Sequence, residues 1–379
     1  MGPLQGVKII EIAGIGPGPF CGMMLSDMGA EIIRVDRIGG QPGLASGKDV
    51  LNRGRRTIAV DLRAPEGPGV ILRLCEKVDA LFEGFRPGVT ERLGIGPKDC
   101  MARNPKLVYG RMTGWGQEGP LSHASGHDIN YISLSGALHA IGRKGERPVP
   151  PLNLVGDFGG GGMLLAFGIV CGLVEAMKSG KGQVVDAAMV DGSAALMAMF
   201  FSFREMGMFF DERGTNLLDS GAHFYDSYET KDGKWISVGS IEPQFYAELV
   251  KRAGLDAERF AAQMDFSKWS GYKEEIIQVF KTKTRDEWCA LMEGSDTCFA
   301  PVLSINEAPE HPHNKARKTF VTVDGVLQPA PAPRFDRTVP EIRHGFRLAG
   351  QDTLSVLSDY GFTKTEIEAL QTKGVVAAA

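Results

Sequence analysis

The order in which short β-branched runs alternate with helix-like stretches constrains this chain more than any single motif. Val7 to Ala13 is a β-branched, apolar run that ends in the turn Gly14-Ile-Gly16-Pro-Gly18. A helix-like segment starts at Phe20, and a second run covers Glu31 to Asp36. That unit reads as strand, glycine turn, helix, strand. Thr57 to Asp61, Val78 to Phe82 and Leu107 to Tyr109 repeat the pattern, with Gly- or Pro-bounded helical stretches between them. Alternation of this kind predicts an α/β fold: a mostly parallel, Rossmann-like sheet covered by helices on both faces.

The texture changes further along. Asp157 leads into Gly159 to Gly162 and an apolar helix that stops near Gly180, followed by a strand at Gln183 to Ala187 and a Met- and Phe-rich helix from Met189 to about Phe210. Phe224 to Glu229, the turn at Lys231 to Gly233, and Trp235 to Gly239 read as a β-hairpin. More charged helices follow over about 243–293. The expected organisation is a large domain of residues 1–187 and 333–379, linkers at 188–217 and 305–332, and a small α+β domain at 218–304. Thr363 with Glu366 is a capping box for a last helix.

Composition excludes several classes. The 379 residues carry 42 basic and 46 acidic side chains, a net charge of −4, so no global positive field recruits nucleic acid. An anionic ligand must be held by local arginines or helix N-termini. The longest apolar stretch, Met163 to Val174, is about twelve residues against the ~20 of a membrane helix, so no membrane span is expected. Six scattered cysteines without a CxxC pair read as thiols in a reducing compartment and imply no zinc site. With no secretory, transit or peroxisomal segment read in the chain, the cytoplasm is the expected location.

Five features carry candidate chemistry. The glycine turn, with Asp36 about twenty residues on, superficially fits a dinucleotide site. Pro19 stands where the third glycine belongs, however, and Pro17 and Pro19 remove amide donors, so a tight strand-to-helix turn is the preferred reading. His127, between Gly126 and Asp128 at a predicted helix start, has free N–H groups beside it that could hold an oxyanion. Asp157 either caps the following helix or is a carboxylic acid among apolar neighbours whose raised pKa suits proton exchange. Arg37, Arg53, Arg55, Arg56, Arg86 and Arg92 fall near strand ends, where they are solvated charge or ligand contacts. Met189, Met197, Met199, Met206 and Met208 are core, or a pliant surface for apolar chains.

Taken together, dispersed segments resemble the α-methylacyl-CoA racemases of the class III CoA-transferase superfamily. They are Gly14 to Pro19, Glu31 to Arg37, Arg86 to Val89, Arg111 to Gln117, Gly126 to Tyr131, Pro151 to Leu154, Gly180 to Val184, Ile241 to Tyr246 and Thr297 to Val302. The resemblance implies a Rossmann-like large domain made from both chain ends, a small α+β domain, and an interlocked homodimer with its active site between the large domain of one subunit and the small domain of the other. It implies that His127 and Asp157 are the acid/base pair and that Glu242 reaches Asp157 from the partner subunit. It implies CoA contacts at Arg37, at Ala59, Val60, Asp61 and Leu62, and at Gly126, His127, Asp128, Ile129, Asn130 and Tyr131; Arg86 is added as a further CoA contact.

The implied substrate is an acyl-CoA thioester, with no metal and no separate cofactor because CoA arrives as part of the substrate. The Asp128 backbone N–H is expected to stabilise the enolate oxygen. Two alternatives stand beside epimerisation of 2-methylacyl-CoA: a CoA-transferase in which Asp157 is the nucleophile, and a non-catalytic CoA-thioester binding protein.

Overall fold

The β-branched runs become strands and the segments between them become the helices that bury them. The computed structural model describes residues 2–40 and 48–379. The first part runs β1 (Lys8–Ile12), α1 (Pro17–Asp27), β2 (Glu31–Asp36), β3 (Arg56–Val60), α2 (Gly67–Cys75), β4 (Ala80–Glu83), α3 (Val89–Arg92), α4 (Pro97–Arg103), β5 (Val108–Thr113) and α5 (Asp128–Leu134). After α6 (Ala137–Ala140) come a π-helical segment, Leu154–Gly162, then α7 (Met163–Ser179), β6 (Val184–Ala188), α8 (Met189–Leu196) and α9 (Ala198–Glu205). Next are β7 (Tyr225–Glu229), β8 (Trp235–Gly239), α10 (Pro243–Ala253), α11 (Trp269–Phe280), α12 (Arg285–Met292), β9 (Phe299–Val302) and α13 (Pro312–Arg317). The chain ends with β10 (Phe320–Val323), β11 (Val326–Pro329), α14 (Thr353–Asp359), α15 (Lys364–Thr372) and β12 (Val376–Ala377).

Two compact units result. One comprises residues 1–135, 152–196 and 318–379; the other comprises 136–151 and 197–317. Residues 136–151, placed in the large domain on sequence, fall in the second unit. Arg143 donates to both carboxylate oxygens of the nearly buried Asp226, which ties that segment down.

The first unit is built on a seven-stranded sheet of order β12-β3-β2-β1-β4-β5-β6. Every pair is parallel except β12 with β3. Ile10, Ile33, Ile58 and Leu81 bury into one face with Val70, Leu74 and Val356, while Ile9, Ile32, Phe82 and Val108 bury into the other with Leu25, Leu165 and Ile169. Alternation along each strand sends neighbours to opposite cores, so a doubly covered sheet needs apolar residues at nearly every position.

The π-helical segment and α7 form one helical run of 26 residues, Leu154–Ser179, long and apolar enough by length and composition to cross a membrane. The expectation of about twelve residues counted only the stretch before Glu175 and did not foresee that the glycines are helical. Leu165, Ile169 and Leu173 pack into the core of the sheet, where each contributes about 1.5–3 kcal/mol of apolar burial, as a core helix does. Gly180 ends the helix in a left-handed conformation.

The helix expected from Met189 to Phe210 is broken at Met197, where the chain passes from the first unit to the second. The second unit has an antiparallel sheet, β7-β8-β9, closed by α10, α11 and α12 over an aromatic core that includes Phe224, Tyr228, Tyr272, Phe280 and Trp288. The hairpin and the Thr363–Glu366 capping box form where the sequence places them.

Candidate active site

The parallel strands all run out at one edge of the large sheet, and the loops there carry most of the residues singled out in the sequence. Gly14 to Gly18 follow β1, Arg37 follows β2, Asp61 and Leu62 follow β3, Arg86 follows β4, and Gly126 to Tyr131 lie beyond β5. Strand order turns outward in both directions from β1 and β4, and open α/β sheets bind ligands at such a switch point.

His127 is the residue before α5, in extended conformation and exposed. Its backbone N–H donates to Asn130 Oδ1 at 3.0 Å, which fixes the chain at the helix entry. Asp128 opens the helix, so its own N–H has no acceptor one turn back. The Asp128 side chain is buried and turns inward: Oδ2 accepts the backbone N–H of Asp157 at 2.7 Å. Further along α5 the Tyr131 ring meets Trp115 edge-on at 4.8 Å, and its hydroxyl donates to the Gly126 carbonyl. Burial, together with the fields of Asp157 and Asp128, raises the Tyr131 pKa, and Arg86 opposes that rise. Arg86 also donates to Ser125 Oγ at 3.1 Å, beside the same loop.

Asp157 lies inside the π-helical segment and does not cap α7. Such segments are rare and recur at functional sites. Asn153, four residues earlier, donates to Asp157 Oδ2 at 3.1 Å. Leu152, just before it, is exposed with φ 56°, a conformation unusual for a residue with a side chain. The glycine turn closes the other side. Gly16 has φ 66°, and a Cβ there would stand 2.9 Å from Asp157 Oδ2. Phe158 stacks on Phe20 of α1 at 4.6 Å. Asp157 is half-buried, and burial raises its pKa; the Asn153 hydrogen bond lowers it, the Asp128 charge adds to the rise, and His127 opposes it. A carboxyl group with a raised pKa thus lies within the electrostatic reach of an exposed imidazole, and both are residue types that serve as general acids and bases.

Residues 4–353 match the family model for CoA-transferase family III. This chain belongs to CoA-transferase family III. The family member is 46% identical to α-methylacyl-CoA racemase of Mus musculus over 98% of this chain and 97% of that protein. It is 42% identical to the racemase of Homo sapiens over the same shares. A CAIB/BAIF family protein from Brucella suis has the same fold, with TM-score 0.83 and 22% identity over 95% of this chain and 99% of that one.

The remaining sequence candidates are spread more widely over this family III chain. Arg37 is exposed at the end of β2. Ala59 and Val60 are buried in β3, where the Ala59 N–H donates to Thr353 Oγ1 and Asp61 donates to the Val375 carbonyl; Asp61 and Leu62 are half-exposed. Ile129 and Asn130 are exposed on α5. Glu242 lies in the second unit, exposed, as the residue before α10 with Pro243 at the first helical position. Met199, Met206 and Met208 are exposed, whereas Met189 is core. Arg53 and Arg55 are fully buried in ion pairs, so they are not ligand contacts at strand ends. Among the described residues no cluster of three or more His, Cys, Asp or Glu side chains is arranged as metal ligands.

Sequence reasoning missed Asn153, the contact of Gly16 with Asp157, and the inward turn of the Asp128 side chain. Asn153 had a weak signal, since four residues is the spacing that stacks side chains on one helical face. The Asp128–Asp157 link spans 29 residues and had none.

Proposed function

We propose that this chain is a racemase that interconverts (2R)- and (2S)-2-methylacyl-CoA thioesters through an enolate. The observation that carries the reading is the pairing of exposed His127 with half-buried Asp157, whose pKa burial raises, in a chain 46% identical to a mammalian α-methylacyl-CoA racemase. A proton α to a thioester is weakly acidic. One base must therefore remove it from one face while an acid returns a proton to the other face of the planar enolate. Neutral His127 takes the proton from one epimer and protonated Asp157 supplies one to the opposite face; the roles exchange in reverse. The N–H of Asp128 donates to the enolate oxygen.

In this reading Arg37 and Arg86 meet the CoA phosphates, and the stretches Ala59–Leu62 and Gly126–Tyr131 flank the nucleotide and pantetheine. The thioethers of Met199, Met206 and Met208 suit a branched acyl chain. The working form is a homodimer in which the partner's Glu242 approaches Asp157. No metal and no cofactor beyond the substrate's own CoA is needed. A cytoplasmic setting agrees with six free cysteine thiols.

The family match also favours a second reading, CoA transfer with Asp157 as the nucleophile that forms an acyl anhydride. His127→Ala separates the two when epimer interconversion and CoA transfer to an added carboxylate are followed in parallel. A racemase loses interconversion in both His127→Ala and Asp157→Ala. A transferase tolerates the first and fails only with the second. Absence of both activities in the wild-type protein would leave a binding role.

A further inference from the structure

The Asp128 carboxylate has an unusual situation. Its residue is 7% exposed, and among the described residues it forms no ion pair with an arginine or lysine and one oxygen, Oδ1, has no hydrogen-bond partner. The other oxygen takes the Asp157 N–H at 2.7 Å. The fit is close: a Cβ on Gly156 would stand 2.4 Å from Oδ2, so only glycine lets the π-helical backbone come this near. An uncompensated carboxylate in such a place costs stability, and the fold keeps it on the residue next to His127.

We propose that the Asp128 side chain is a positioning residue, a buried brace that ties the backbone of Asp157 to the helix carrying His127 and so fixes the two acid/base groups relative to each other. This rests on the reading of His127 and Asp157 as the acid/base pair. The brace also acts through its charge. Among the described residues, the ionisable groups whose fields act on Asp157 are Asp128 and His127, both at the start of α5; α1, α7 and α8 add none. The Asp128 carboxylate therefore helps Asp157 keep the proton it must deliver, and it does so from within the same chain.

Two substitutions separate position from charge. Asp128→Asn keeps an oxygen that can accept the Asp157 N–H and removes the charge; Asp128→Ala removes both. The full-length protein is assayed for epimer interconversion against pH, with the Asp157 carboxyl followed by carbon-13 NMR in protein labelled at aspartate. In the direction where Asp157 donates, the rate falls as pH rises through its pKa. Asp128→Asn is expected to move that fall, and the Asp157 titration, to lower pH with KM unchanged. Asp128→Ala is expected to lower kcat by about 10²-fold, the scale of a misplaced catalytic group.

Wild-type kcat in Asp128→Ala together with an unmoved Asp157 titration in Asp128→Asn would overturn the proposal. If Asp128→Ala does not fold, Gly156→Ala pushes the carboxylate away without changing any charge, and wild-type kcat in that variant would count equally against it. If the wild-type protein does not interconvert epimers, the racemase reading fails, while the NMR titration still decides whether Asp128 acts on Asp157.

Discussion

The large unit buries carboxylates in two regions and gives them different partners. Beneath α1, Glu11 and Arg55 form an ion pair at 3.0 Å with both side chains fully buried. Nearby, Asp27 receives Arg53 through Nε at 3.1 Å and Nη2 at 2.5 Å. The remaining guanidinium donors are taken up: Arg53 reaches Gln328 Oε1 and the Pro329 carbonyl, and Arg55 reaches the carbonyls of Pro19, Leu51 and Arg53. At the end of the sheet, Asp128 and Asp157 form no ion pair with a guanidinium among the described residues and receive a backbone amide and the Asn153 side chain instead. Burial raises the pKa of Asp27 with its guanidinium partner opposing the rise, and it raises that of Asp157, where the charge of a second carboxylate adds to it. The difference lies in the partner supplied, since both regions remove the group from water.

The largest effect is expected where the matching is broken. Arg55→Met leaves Glu11 buried without its cation and should cost about 3–5 kcal/mol, read as a fall in the urea unfolding midpoint. Glu11→Gln combined with Arg55→Met should recover part of that loss. A single variant as stable as wild type would mean that the region beneath α1 does not depend on charge pairing, and the contrast with Asp157 would lose its basis.

A smaller effect is expected at the seam between the two regions. Gly16→Ala places a methyl 2.9 Å from Asp157 Oδ2 at a φ of 66°. The left-handed backbone alone should cost about 1–2 kcal/mol in thermal unfolding. The displaced carboxyl should lower kcat with little change in KM, and unaltered kcat would show that the glycine turn does not set the place of Asp157.

The smallest effect sharpens the comparison at a residue of intermediate character. Asp36 pairs with Arg34 at 2.8 Å, yet burial pushes its pKa up to about 6, with Arg34 opposing and Glu11 assisting. Between its unfolded pKa near 4 and that value the folded protein holds more protons than the unfolded chain, so this group makes stability fall as pH rises from about 4 to about 6. Burial moves Glu83, to about 7, and Asp157 in the same direction. Asp36→Asn should flatten part of the slope in denaturant midpoints measured across that range. An unchanged slope would remove Asp36 from the list of proton-retaining groups.

The same contrast explains what was legible in the sequence. The strands could be read because β-branched runs between glycine and proline turns need no distant information, and Lys8–Ile12 and Glu31–Asp36 lie where they were expected. The π-helical segment could not be read, because four glycines disfavour a helix locally. Tertiary contacts make it: a Cβ on Gly160 would stand 2.6 Å from the Ser193 amide nitrogen, and one on Gly162 would stand 2.5 Å from the Pro17 carbonyl, so the glycines are there for close packing. Arg53 and Arg55 looked like any arginines near strand ends, and only the fold shows Asp27 and Glu11 waiting for them. His127 and Asp157 stood out through resemblance more than spacing; the hydrogen bond that links their segments comes from residues distant in the chain.

The most direct test of the account is incubation of the wild-type protein with a single epimer of a 2-methylacyl-CoA in D₂O, with NMR of the C2 proton and chiral analysis of the recovered thioester. Epimerisation through an enolate requires deuterium at C2 together with growth of the opposite epimer. Recovery of a single, fully protiated epimer, with CoA appearing on an added carboxylate, would contradict it.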